Sequence, residues 1–323
     1  MEEQIRTRRI RQWMFAAVII ALAAIIVGIF FFMIKRETYE LQQNIYFMEW
    51  DSGEDDTIFY KYDYKDDEVV RIGIIEGKFR QCVINGNETC ITASRYNGEF
   101  QERIQLDLTT GMVQIEDIGD RVNPIIENDV WNAMLLYDEG NKMLISYKDK
   151  EGDEKWMFYD FLTEEYDIIE GIKNTTGRFL KINDDELWYA SGNGDLYQYN
   201  WKTNTSTKVL DSINCAAVAP KVGLITYVEK GMQNEKIYLY NLNRKKVKCI
   251  IHGGWNTYYG DFFDKKGQWS NDGRYFFYTK SFPGLFSASN ISLMVYDTKS
   301  GKSFCIFKER NTYDEFRYIE SSS

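Results

Sequence analysis

The pattern of apolar and polar positions divides the chain into two regimes. Residues Trp13 to Ile34, "WMFAAVIIALAAIIVGIFFFMI", form an uncharged run of 22 residues. As a helix such a run is about 33 Å long, against a bilayer hydrocarbon core of about 30 Å. Arg6, Arg8, Arg9 and Arg11 precede it, and Lys35 and Arg36 follow. The arginine excess before the span predicts an inside N-terminus and an outside C-terminus. The run is longer than the apolar region of a signal peptide, and no small-x-small cleavage site precedes Lys35, so it reads as an uncleaved signal anchor.

Beyond residue 36 the pattern changes to short runs of strand formers broken by turn residues. In "WSNDGRYFFYTKS", Trp269 to Ser281, the Asp272-Gly273 pair is a hairpin turn signal before a strand. "NISLMVYDTKSGKSFCIF", Asn290 to Phe307, then reads as strand, turn, strand. The layout recurs upstream. Each unit's third strand ends on Asp or Asn before a polar turn: Asp63, Asp107, Asp160, Asn200, Asn241 and Asp297, separated by 44, 53, 40, 41 and 56 residues. A side-chain oxygen there can accept from its own turn backbone two residues on. Earlier hairpins such as "YDEGNKMLISYK" and "APKVGLITYVEK" complete the units.

A period of about 40–50 residues with four strands per unit is the signature of a β-propeller. The chain therefore predicts an all-β fold, a six-bladed β-propeller of four-stranded antiparallel blades, preceded by one transmembrane α-helix. Seven blades is the alternative count. No long amphipathic helix is read after residue 36. The boundaries are 1–12 for a cytoplasmic tail, 13–34 for the anchor, 35–43 for a linker, 44–310 for the propeller ectodomain and 311–323 for a C-terminal tail. In that tail "NTYDEFRYIE", Asn311 to Glu320, reads as a strand that can supply the missing first strand of blade one; a loose tail is the other reading.

"WSNDGRYFFYTKS…LMVYDTKSGK" resembles the WD-like repeat of TolB-type propellers, usually Trp-Ser-Pro-Asp-Gly-Lys before a hydrophobic strand. Asn271 stands where that family generally has proline. The resemblance is close in the last repeat and schematic in the other five. It implies an extracytoplasmic binding or scaffold module, and together with the anchor it resembles surface proteins of Gram-positive bacteria.

Composition supports strands: 16% aromatic residues and only 3 Pro. Residues 1–36 carry six Lys/Arg and two Glu, or +4, so the chain's −10 leaves about −14 for residues 37–323. An acidic exterior argues against nucleic acid or anionic lipid as its partner. The bilayer contact is confined to residues 13–34. Five widely spaced cysteines are no disulfide framework. A three-residue loop at Asn85-Gly86-Asn87 would, however, set Cys82 opposite Cys90 and permit one disulfide; two buried thiols is the alternative.

Little in the chain carries catalytic chemistry. There is one histidine, His252, no Gly-x-Ser-x-Gly elbow and no Cys-x-x-Cys. No phosphate loop or dinucleotide fingerprint is present, and neither a metal site nor a cofactor is expected. The acids of "SGEDDT", "YKDDE" and "INDDE" fall in loops and turns, where solvation explains them. Two loops, "HGGWNTYYGDFFDKKG" and "SFPGLFSASN", carry aromatics outside strand alternation. Trp255, Tyr258, Tyr259, Asp261 and Phe262 are the candidate ligand contacts, suited to stacking on a sugar or a partner's side chain. Four Asn-x-Ser/Thr sequons occur, at Asn87, Asn174, Asn204 and Asn290.

The sequence thus points to a membrane-anchored, non-enzymatic module binding an envelope protein, peptide or glycan. The alternatives are a surface glycan-acting hydrolase or lyase using carboxylates at the propeller face, and the sensory ectodomain of a membrane complex.

Overall fold

A computed structural model describes residues 41–321, except 52, 80, 97–100, 127–130, 171, 173–177, 184, 230–235, 253–268, 283–289 and 310–314. The proposed anchor, 13–34, lies outside the described residues. Among the described residues no helix is long and apolar enough to cross a membrane.

The fold is a six-bladed β-propeller. Blade 1 holds β1 (Ile45–Asp51), β2 (Asp56–Asp63) and β3 (Glu68–Glu76). Blade 2 holds β4 (Gln81–Ile84), β5 (Cys90–Tyr96), β6 (Gln101–Asp107) and β7 (Val113–Asp117). Blade 3 comprises β8 (Trp131–Tyr137), β9 (Lys142–Lys148), β10 (Glu154–Asp160) and β11 (Tyr166–Ile169). Blade 4 runs β12 (Arg178–Asn183), β13 (Glu186–Ala190), β14 (Leu196–Asn200), β15 (Thr205–Leu210); blade 5 runs β16 (Ile213–Ala219), β17 (Leu224–Glu229), β18 (Ile237–Asn241), β19 (Lys246–Ile251). Blade 6 holds β20 (Tyr275–Phe282), β21 (Asn290–Asp297) and β22 (Lys302–Glu309), with Trp269 bridging to Phe276 in the first-strand position. First strands lie innermost: β4 touches β8, β8 touches β12 and β12 touches β16. Fourth strands form the rim and expose Ile74, Ile115, Ile168 and Val247.

The second and third strands of blade 3 show why the sequence reads as apolar on both faces. Met143, Ile145, Met157 and Tyr159 pack towards blade 2, in one cluster with Val83. Their alternates Leu144, Trp156 and Phe158 pack with Leu187 and Tyr199 of blade 4. Period-two alternation thus feeds two interfaces instead of one core and one solvent face. The same exchange recurs between blades 4 and 5, through Trp188 and Ile225, and between blades 5 and 6, through Ala217 and Phe276. Blade 6 meets blade 1 through Phe307, whose ring centre is 5.3 Å from Phe47 and 5.4 Å from Tyr60.

The C-terminal residues enter two blades. β23 (Glu315–Tyr318) pairs antiparallel with β1, Phe47 opposite Tyr318, and takes the first-strand position of blade 1. The Ile319 N–H then donates to Tyr46 O at 2.8 Å, and β24 (Glu320–Ser321) runs parallel to β4 in blade 2. Ile319 is fully buried in a cluster shared by the two blades.

The repeated Asp or Asn ends the third strand of every blade. Asp63 Oδ1 accepts from Lys65 N, Asp160 Oδ1 from Leu162 N, and Asp297 Oδ1 from Lys299 N, two residues on in each case. Asn200 and Asn241 accept three residues on, from Thr203 N and Arg244 N. Asp107 Oδ1 takes the most, from Thr109 N (2.8 Å), Thr109 Oγ1 (2.6 Å) and Thr110 N (2.9 Å). These bonds, the Thr109 hydroxyl's first, hold its carboxyl at about 2, below its ordinary 3.8. In blades 2 to 6 the residue after this position also donates its N–H to the carbonyl just before the second strand, as Phe161 does to Asn141 O. The second hairpin is thereby clasped to the first.

One sequence expectation is corrected. Cys82 pairs with Ala93 and Cys90 with Asp107, so Cys82 and Cys90 lie on opposite faces of blade 2 and neither forms a disulfide. The physical reason is a loop of five residues, Asn85–Thr89, not three. Asn85 N–H donates to Cys90 O, and Asn85 Oδ1 accepts from Thr89 N and Cys90 N. The longer loop turns Cys90 away from its expected partner. A short helix, α1 (Gly119–Ile126), lies between blades 2 and 3 and buries Val122 and Ile126. It accounts for part of the 53-residue spacing from Asp107 to Asp160.

Two outcomes follow. Ile319→Ala should lower stability by about 2–5 kcal/mol in urea unfolding, the usual cost of emptying a buried Ile site; a loss under 1 kcal/mol would mean the tail contributes little to closing the ring. Asp107→Asn tests the turn carboxylate. The folded carboxyl titrates near 2 and the unfolded one near 3.8, so ionisation favours the folded chain. That contribution is complete above about pH 4 and fades as pH falls towards 2. The urea-midpoint gap between wild type and Asp107→Asn should therefore narrow between pH 5 and pH 3; a gap constant across that range would sink the assignment.

Candidate functional site

Five blades deliver residues to one cavity of about 440 Å³ at the mouth of the central channel. Blade 2 supplies Val83, blade 3 Leu135 to Glu139 and Lys142, blade 4 Lys181 to Asn183, blade 5 Val218 to Lys221, and blade 6 Trp269 to Asn271. The volume lies within the range of about 300–1,000 Å³ typical of ligand pockets. The apolar wall residues come from the inner strands, and the polar groups come both from those strands, as Lys181 and Asn183 do, and from the turns that follow, as Asp138 and Lys221 do.

Three inner strands are bulged. Pairing shifts between Ala133 and Leu135 in β8, between Phe179 and Lys181 in β12, and between Ile213 and Cys215 in β16. A bulge re-aims the residues beyond it. In β12 the extra residue, Leu180, is buried against blade 5, and Lys181 follows onto the cavity wall. Burial, then the neighbouring charge of Lys221, brings the Lys181 ammonium down to about 7 from its ordinary 10.5. Burial first, then the charges of Asp138, Asp160 and Asp167, pushes the Tyr137 hydroxyl up, so it stays neutral.

The acidic side of the mouth is held by its own surroundings. Asp138, Glu139 and Gly140 all adopt positive φ, at 52°, 57° and 79°. Glu139 Oε1 accepts from Gly86 N at 2.9 Å, and Arg103 Nε donates to Gly140 O at 3.0 Å, both from blade 2. Lys142 pairs with Asp138 at 3.3 Å and with Asp160 at 3.6 Å. A Cβ on Gly140 would stand 2.4 Å from Thr92 Cβ, so only glycine fits this approach.

The Trp269-to-Arg274 stretch builds the opposite wall. Trp269 Nε1 donates to Ala217 O in β16 at 3.2 Å, fastening blade 6 to blade 5. Tyr275 N donates to Ser270 Oγ, Gly273 N to Ser270 O, and Arg274 N to Asp272 Oδ1. Arg274 forks onto the fully buried Asp297, at 3.2 Å from Nε and 3.4 Å from Nη2. This tightly bonded corner sets Asn271, the residue in the expected proline position, on the cavity. That departure was the one sequence signal pointing here. Lys181, in plain strand sequence, gave none.

Trp255, Tyr258, Tyr259, Asp261 and Phe262 lie outside the described residues. His252 is exposed, its Nδ1 3.5 Å from Cys249 Sγ. The acid clusters do not converge: Asp51 caps Gly53 N, Asp67 accepts from Tyr62 OH, and Asp185 pairs with Lys202 at 2.8 Å. The described carboxylates with displaced pKa values, Asp63, Asp107, Asp149 and Asp160, are all displaced downward. A general acid needs the opposite shift. Asp149, Glu151 and Asp153 bring carboxylate oxygens within 4.8 Å of one another at the β9–β10 turn. There Asp149 Oδ1 already accepts from Glu151 N and Asp153 N.

No protein-family model matches the chain, and no curated protein matches it. Among solved structures, the fold is similar to that of TolB from Acinetobacter baumannii, with TM-score 0.62 and 10% identity over 87% of this chain and 68% of that one. It is also similar to a protein assigned as TolB from Agrobacterium tumefaciens, with TM-score 0.57 and 12% identity over 86% and 99% of the two chains. At these identities the likeness is one of fold.

Gly140→Ala should destabilise the protein by about 2–4 kcal/mol, from the left-handed backbone and the clash with Thr92. Chemical unfolding within 0.5 kcal/mol of wild type would show that the mouth of blade 3 can shift freely.

Proposed function

We propose that the protein is a binding module that engages a protein or peptide partner at the cell envelope through the channel mouth. One observation carries this reading: five blades converge on one cavity of about 440 Å³ whose lining combines apolar residues with charged and amide side chains. The downward shifts of Asp63, Asp107, Asp149 and Asp160 favour binding over carboxylate-based glycan hydrolysis. The uncharged run at 13–34 supports a single-pass anchor with the propeller outside the cell. Trp255, Tyr258, Tyr259, Asp261 and Phe262 are proposed as further contacts, on the strength of their aromatic and acidic character.

The test is a thermal-shift panel on the full chain with short peptides, peptidoglycan fragments and neutral glycans. A saturable rise in melting temperature with peptides is expected, since a ligand that binds only the folded state stabilises it. Trp255→Ala should reduce that rise if the aromatic loop contributes. A response to glycans alone, or to nothing in the panel, would overturn the reading.

A further inference from the structure

We propose that the outer edge of blade 5 pairs with the outer edge of blade 3 in a second copy of this chain, β19 against β11, so that copies associate side by side. This contact is separate from the channel mouth, since neither strand lines the cavity, and it does not rest on the binding-module reading.

Each of the two strands is the last in its sheet, the order being β11-β10-β9-β8 in blade 3 and β16-β17-β18-β19 in blade 5. Among the described residues no strand covers the outer side of either. Each edge therefore presents backbone N–H and C=O groups to a further strand. Both edges also expose apolar side chains. Tyr166 and Ile168 on β11 are 47% and 53% exposed, and Val247 on β19 is 53% exposed.

The charges on the two edges are opposite. "EEYDIIE", Glu164 to Glu170, carries four acids and no cation. "RKKVK", Arg244 to Lys248, carries four cations and no acid, in a chain of net charge −10. All of these charged residues are exposed. Of them, only Glu164 enters an ion pair among the described residues, with Arg121 at 3.4 Å.

The two strands also alternate in step. On β11, Tyr166 and Ile168 share one face and Asp167 takes the other, in line with Glu165 just before the strand. On β19, Lys246 and Lys248 share one face and Val247 takes the other. An antiparallel pairing with Val247 opposite Tyr166 sets Lys246 opposite Asp167 and Lys248 opposite Glu165. One face then holds two ion pairs and the other an aromatic ring against a β-branched side chain, both favourable cross-strand pairs. A slip by one residue would part both ion pairs. Pairing β19 with β19, or β11 with β11, would set like charges opposite one another. Lysine on an edge strand ordinarily guards against pairing. Facing an acidic edge, it selects the partner instead. Because the two edges are different surfaces, each copy keeps one of them open after the first contact, and association passes beyond a dimer unless the copies close into a ring.

The experiment is sedimentation equilibrium of the full chain in a density-matched neutral detergent, at low salt and at about 1 M salt, where the Debye length falls to about 3 Å. Wild type should form assemblies of two or more copies at low salt, and the average mass should fall towards that of one chain at high salt. Lys246→Glu combined with Lys248→Glu should abolish the low-salt assemblies, and so should Glu165→Lys combined with Asp167→Lys. An equimolar mixture of the two double variants should associate again, because each then offers an edge opposite in charge to the other's. Circular dichroism of each variant, matched to wild type, confirms that both are folded. A wild type that stays a single chain at low salt, association that high salt leaves unchanged, or a mixture of folded variants that stays monomeric would overturn the proposal. Loss of association in the Lys246/Lys248 variant alone would also overturn it, since β19 would then be meeting an acidic surface other than β11.

Discussion

Burial on both faces of each blade is the constraint on which the rest of this structure depends. A single four-stranded sheet whose alternate residues are both apolar cannot satisfy itself in water. Blade 3 is covered by blade 2 on one face, through Met157 and Tyr159, and by blade 4 on the other, through Trp156 and Phe158. Covering every blade in this way requires a closed ring, and Phe307 against Phe47 and Tyr60 completes it. The inner strands then converge at the axis. The cavity is a consequence of that closure, since its walls are the inner-strand residues that no single blade could enclose.

Within a blade, a small polar device does what apolar packing cannot. The Asp or Asn at the end of the third strand ties down the following turn and sets the next residue to clasp the preceding hairpin. Apolar contact is non-directional, whereas these bonds fix register, and a slip by one residue would send each strand's side chains to the wrong neighbour. In blade 6 the device is reinforced, because Asp297 also receives the Arg274 fork in a buried setting.

These features decided what could be read from the sequence. The turn residues Asp63, Asp107, Asp160, Asn200, Asn241 and Asp297 were legible because their function is local, and from them the blade count was legible too. The Cys82–Cys90 relation was misread because loop length depends on how the Asn85 side chain is bonded, which composition does not reveal. Helix α1 was missed because its stability comes from burying Val122 and Ile126 between blades, against its own Gly and Pro. The cavity lysines were invisible for a related reason. Lys181 and Lys221 line one cavity only when β12 and β16 stand side by side at the axis, and a bulge in β12 decides where Lys181 points. Sequence pattern records what a residue does for its own strand, but not which residues from other strands meet it.

The seating of β23 beside β1 has a consequence for how the protein comes into being. Phe47 and Tyr318 are partners across about 270 residues of chain. During synthesis blades 3 to 6 can pair their own strands as they emerge, but blade 1 stays incomplete until residues 315–318 emerge. Until then Tyr46, Met48 and the place that Ile319 fills have no inner strand over them. A nascent chain in that state is a ring with one open seam, presenting a strand edge and apolar side chains together. Such a chain needs either a holding chaperone or rapid completion, because an exposed strand edge invites pairing with another molecule.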